Sequence, residues 1–106
     1  MVIGLDFETY SPVDLKDHGA PRYFEHPDWC VTLAGTYTRV SASPVSKSYD
    51  FALDPEQAKV QLAHDIEGQI VVGHNVGFEK MVLRKLGMLD LPESFIDSAV
   101  IARAVG

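Results

Sequence analysis

The sequence predicts an α/β fold, a mixed sheet with flanking helices, on three observations. The chain opens on a short apolar strand, a β-branched and aromatic segment follows a long polar stretch, and the second half alternates between strand and helix patterns. In that order of elements the first strand is central.

Residues 2–7 are apolar apart from Asp6 and read as this first strand. Residues 10–27 are rich in Pro, Gly, His and charge, and are expected to form a surface loop with one helical turn near 14–18. Loops of that length are often functional. Residues 29–37 form the second expected strand and 45–51 a weaker third. Asp54, Pro55 and Gln57 supply an N-cap, a proline at the first helical position and a capping-box partner, so a helix is expected from there to about Glu67, stopped by Gly68. Its apolar face is Ala58, Leu62 and Ile66. Ile70, Val71 and Val72 make a short buried strand, which turns through Gly73-His74-Asn75 into a second helix. That helix carries a stripe of Phe78, Val82 and Leu86 with Met81 beside it, and Gly87 ends it. Beyond Pro92, Phe95-Ile96 reads as a strand fragment, and Asp97-Ser98 caps an apolar helical stretch over 99–105.

At 106 residues the chain is one domain or part of one, and its pattern stops in mid-helix, which suggests a piece of a longer protein. With 46% hydrophobic and 23% charged residues, no apolar run near twenty and no basic leader, a soluble cytoplasmic protein without a membrane partner is expected. Cys30, the only cysteine, excludes an intramolecular disulfide and a Cys-rich zinc site, and is assigned to core packing. The net charge of −6 speaks against holding DNA by wide phosphate neutralisation. It leaves a protein that does not bind nucleic acid, or an enzyme whose acidic cluster meets phosphates through divalent cations.

Asp6 and Glu8 are two apart on a strand, so they leave one face about 6.5–7 Å apart while Ile3, Leu5 and Phe7 take the other. The charge appears only at the C-terminal end of this strand, where α/β sheets place ligands. Two carboxylates there repel, and a hard cation relieves the cost; oxygen donors of this kind suit Mg²⁺ or Mn²⁺ rather than zinc. A second strand end carries Asn75 at the start of a helix and Glu79 one turn later, pointing back toward the same edge. The plainer alternatives are a strand ending in solvent, and a capping Asn followed by a solvated Glu.

Taken together, Leu5-Asp6-Phe7-Glu8-Thr9-Tyr10 and Val72-Gly73-His74-Asn75-Val76-Gly77-Phe78-Glu79-Lys80 resemble the first and second motifs of the DEDD-type 3′→5′ exonucleases, whose fold is ribonuclease-H-like. The stretch from Tyr10 to Tyr23 is similar to the segment after the first motif in the proofreading domains of phage-type family A DNA polymerases, and 95–103 to the strand-to-helix segment after the second. The resemblance spans nearly the whole chain.

It implies a partial exonuclease domain over residues 1–106 that hydrolyses the 3′-terminal phosphodiester of single-stranded DNA with two Mg²⁺ or Mn²⁺ ions, as one portion of a polymerase chain. By position, Asp6 would bridge both ions and Glu8 would bind the ion that activates water. Glu79 would serve the second ion, at a place that normally reads Asp. Asn75 would bond the substrate near its 3′ end, with Phe7 and Thr9 beside the terminal nucleotide through backbone or side chain and His74 and Phe78 completing the substrate side. The family's third motif, a Tyr or His followed by a metal-binding Asp, is expected beyond Gly106, so the fold would be C-terminally truncated here. Asp97 is read as a helix cap, Lys80, Arg84 and Lys85 as a basic solvated face, and Tyr23, Phe24 and Trp29 as core or loop anchors. An RNA-trimming exonuclease of the same superfamily and a degenerate domain that only binds nucleic acid or a partner remain as other readings.

Overall fold

In the computed structural model, which describes residues 2–40 and 43–98, the first strand runs past its apolar residues: β1 spans Val2–Tyr10. It is followed by α1 (Leu15–Glu25), β2 (Cys30–Val40), β3 (Ser43–Asp50), α2 (Pro55–Ile66), β4 (Ile70–Gly73), α3 (Val76–Leu86) and β5 (Ser94–Asp97). The sheet is five-stranded and mixed, in the order β3-β2-β1-β4-β5. β2 is antiparallel to both β1 and β3, whereas β4 runs parallel to β1 and β5 parallel to β4. The first strand is central, as its sequence position implied. The expected helical stretch over 99–105 lies outside the described residues.

Alternation along β1 divides the sheet into two unlike faces. Ile3, Leu5 and Phe7 are buried, and the core they enter is completed by Phe24 of α1, by Ala58, Leu62 and Ile66 of α2, and by Val82 and Leu83 of α3. Among the described residues the helices cover this one face, and Val2 (51% exposed), Tyr37 (48%) and Ile96 (37%) stand on the open one. On α3 the stripe is rotated toward Leu83: it and Val82 are fully buried, while Phe78 and Leu86 only pack against the core from its margin. No described helix is long and apolar enough to cross a membrane.

The segment between β1 and β2 keeps the helical turn expected near 14–18 but continues it where a loop is expected. It forms an 11-residue helix, α1, kinked at Gly19 (φ 81°, ψ 168°). Two helical turns meet at that left-handed glycine, and Pro21 lies at the start of the second, where its missing N–H costs nothing. Asp14 caps the first turn by accepting from the Lys16 N–H at 2.8 Å. Burial of Phe24, which stacks 5.4 Å from both Trp29 and Phe78, holds the helix to the core.

A bulge interrupts the pairing of β1 with β2. Glu8 faces Leu33 but Thr9 faces Val31, so Thr32 is an extra residue on β2. One extra residue exchanges the two faces for everything beyond it. Val31 thereby turns into the core (7% exposed), and Cys30 comes out opposite Tyr10 on the exposed side. The assignment of Cys30 to core packing is thus corrected, and the reason is the bulge. Cys30 is accordingly expected to react with a thiol reagent in the native protein nearly as fast as in denaturant; slow, protected labelling would contradict the exchange of faces.

α2 begins as its sequence predicts, with Asp54 accepting from the Gln57 N–H at 3.1 Å. Its far end is tied to β3. Asp65 accepts from Lys47 Nζ at 3.0 Å and from the Tyr49 hydroxyl at 2.5 Å, and Tyr49 shares a further bond with Thr36 at 3.2 Å. Burial and the Asp65 carboxylate push the Tyr49 hydroxyl up to about 12. Burial alone would raise Asp65, but the bonds from Tyr49 and Lys47 bring it below the ordinary aspartate value.

Candidate functional site

Because β1, β4 and β5 are parallel, their C-terminal ends open at one edge, on the side of β1 where the chain crosses over through α2. Side chains meet a ligand at such an edge without competing for ladder hydrogen bonds. Four carboxylates are brought there: Asp6 and Glu8 from β1, Asp97 from the last residue of β5, and Glu79 from the first turn of α3.

Asp6 and Glu8 are exposed and project from the open face. Glu79 is their opposite, only 4% exposed. It reaches the sheet because Gly73, the last residue of β4, has no side chain: a Cβ there would sit 3.0 Å from Glu79 Oε2. That oxygen is buried and accepts no hydrogen bond. Desolvation pushes the Glu79 carboxyl up to about 7, its own backbone N–H works against this, and the negative charges of Asp6 and Asp97 raise it further. Structures rarely leave a buried carboxylate oxygen unpartnered, and the cost falls when a cation or a proton occupies it.

Asp97 pairs with Gly73 across β4 and β5, which brings its charge beside Glu79. Read as a capping residue, it falls outside the site carboxylates that the sequence predicts. The helix it would cap lies outside the described residues; its place at a strand end is the same signal that singles out Asp6.

The turn into α3 carries the remaining expected site residues. Asn75 occupies the N-cap position, but its side chain makes no capping hydrogen bond. The first turn is closed instead by the Asn75 carbonyl, which accepts from the Phe78 N–H at 3.0 Å and the Glu79 N–H at 3.3 Å. His74 is exposed, with Nδ1 3.4 Å from Ser98 Oγ, and that hydroxyl also donates to the Gly73 carbonyl at 3.3 Å. Asp6, Val72, His74 and Ser98 border an open trough of about 570 Å³ that extends over the sheet to Tyr37 and Ser48.

Of the residues expected on the substrate side, Phe7 and Phe78 do not line the trough. Phe7 is 6% exposed and belongs to the core, so only its backbone lies along the edge. Phe78 is half-buried against Phe24 and flanks Glu79 rather than the trough. Thr9 lies on the helix side and shares a 2.6 Å hydrogen bond with the Tyr23 hydroxyl. Tyr23 is thus tied to the end of β1 next to Glu8, a contact that composition could not reveal. Lys80, Arg84 and Lys85 are exposed, as the basic solvated face expected of them requires, and Lys80 lies 5.1 Å from the Phe95 ring centre and Lys85 5.6 Å from that of Trp29.

Among the described residues, no three Asp, Glu, His or Cys side chains are gathered into a ready-made metal cage. What fits a hard divalent cation is the donor set: carboxylate oxygens only, one of them buried and unpartnered, with neighbours whose repulsion a cation would relieve. Comparison with protein-family models and with curated proteins finds no match to this chain.

Proposed function

We propose that this sheet edge is the acidic half of a two-metal 3′→5′ exonuclease site on a ribonuclease-H-like domain, acting on the 3′ end of single-stranded DNA as one portion of a DNA polymerase chain. The observation that carries the reading is the buried, unpartnered Glu79 Oε2 at the strand end it shares with Asp6. The topology, with a central first strand and the second motif at the neighbouring parallel strand end, agrees with the sequence resemblance.

In this reading Asp6, Glu8 and Glu79 hold Mg²⁺ or Mn²⁺. When bound, the ions supply a nucleophilic hydroxide at neutral pH and neutralise the charge that develops on the scissile phosphate. The protein's own residues do the rest. Glu79 replaces the usual aspartate with a side chain one methylene longer, and Gly73 makes room for it. Asn75, whose side chain makes no capping bond, would bond the terminal nucleotide, and His74 lines the trough together with Asp6. The negative field of this edge repels phosphate until cations neutralise it, consistent with the net charge of −6.

The test is degradation of a 5′-labelled single-stranded oligodeoxynucleotide with Mn²⁺, by this chain and by a longer one that continues past residue 106. Stepwise shortening from the 3′ end with release of nucleoside monophosphate is expected, stronger in the longer chain. An inert longer chain retaining all its carboxylates would sink the proposal, and faster trimming of an oligoribonucleotide would move the substrate to RNA.

A further inference from the structure

We propose that Thr32 and Tyr23 are positioning residues that aim Glu8 by pinning the bulge beside it. The inference rests on the reading of Glu8 as a metal-binding carboxylate and adds the part of the fold that holds it.

The ladder between β1 and β2 is regular from Gly4 to Glu8 and slips between Glu8 and Thr9. A bulge of this kind sharpens the local twist and re-aims the side chains next to it, and an unsupported one leaves backbone groups unpaired. Here both sides of the slip are held by hydroxyls. Thr32, the extra residue, donates its Oγ1 proton to the Glu8 carbonyl at 3.1 Å. Its own carbonyl accepts from the Phe51 and Ala52 N–H groups at 3.2 and 3.3 Å, which anchors it to the turn after β3. On the other side Thr9 shares its 2.6 Å bond with Tyr23, and α1 is fixed in turn by the buried Phe24.

The chain on either side of the slip beside Glu8 is therefore held from two elements, one at the β3 turn and one on α1. Burial does not demand either hydroxyl: Thr32 and Tyr23 are both only half-buried. A valine and a phenylalanine would fill the same volumes. What the hydroxyls specify is the direction in which β1 leaves the sheet, and with it the direction of the Glu8 carboxylate.

The experiment compares Mn²⁺ affinity by calorimetry and the Mn²⁺ electron paramagnetic resonance spectrum for the wild-type chain, Thr32→Val, Thr32→Ser, Tyr23→Phe and Glu8→Gln, with melting curves for each. Thr32→Val and Tyr23→Phe are expected to weaken Mn²⁺ binding about tenfold, the usual effect of removing an outer partner of a metal ligand. Thr32→Ser, which restores the hydroxyl, is expected to bind as the wild type does. Melting of Thr32→Val and Thr32→Ser should differ little, which separates aim from stability. If Glu8→Gln loses Mn²⁺ while Thr32→Val and Tyr23→Phe keep it, the clasp is wrong and the metal reading stands. Unchanged binding in Glu8→Gln overturns the metal role of Glu8 itself, and the clasp with it.

Discussion

Asp6→Ala is expected to stop metal-dependent trimming of a 3′ end almost completely in the longer chain. In the proposed site Asp6 would be the carboxylate shared between both ions, so its loss would remove several kcal/mol of charge stabilisation, a fall of about a thousandfold in rate. The fold should tolerate the change: Asp6 is exposed on the open face, and Gly4 and Gly35, its neighbours on that face, pack nothing against it. Rates of nucleotide release from a labelled strand, set beside an unchanged melting temperature, decide the matter. Activity within tenfold of the wild type would remove Asp6 from the site.

The second large effect concerns stability. Glu79 is an ordinary carboxyl near 4.5 in the unfolded chain and is pushed up to about 7 in the folded one, chiefly by desolvation. The folded protein therefore holds a proton there that the unfolded protein has released. Its contribution is fully present below about 4.5 and is lost as pH rises through 7, on the order of 3 kcal/mol by pH 8. Glu79→Gln, which stays neutral, should be the more stable form at pH 8 and nearly equal at pH 4.5. Mn²⁺ should recover the difference at pH 8 in the wild type and leave the variant where it was. Urea titrations across this pH range measure both, and parallel pH profiles for the two proteins would mean that Glu79 is not the strained carboxyl.

Much of this arrangement is legible from one strand or one helix at a time. Asp54 and Gly87 mark helix ends through local backbone bonds, and the period of Leu62 and Ile66 needs no partner to be read. The carboxylates obey the same logic, since a charge at the end of an otherwise apolar strand is visible in the strand itself. What stays hidden depends on two segments at once. The fate of Cys30 turns on a mismatch in residue count between β1 and β2, which neither strand records alone. α1 looks like a loop because Gly19 and Pro21 are turn residues wherever they fall; only the burial of Phe24 against Phe78, far along the chain, converts the segment into two helical turns. Asp97 escapes a reading of its own segment because a capping role explains it adequately; its place beside Glu79 emerges only once β5 runs parallel to β4.

The crossover between β3 and β4 also sets an order of events. β1, β2 and β3 form a meander whose neighbours in space are neighbours in sequence, and such contacts close early. The parallel pairing of β4 with β1 has to wait until α2 has spanned the sheet, a larger and slower loop closure. Glu79 therefore meets Asp6 only at the end of folding, when the rest of the core is already committed. The repulsion between them is deferred to the last step, and a cation that relieves it acts on a finished structure, by slowing its unfolding rather than by hastening its assembly.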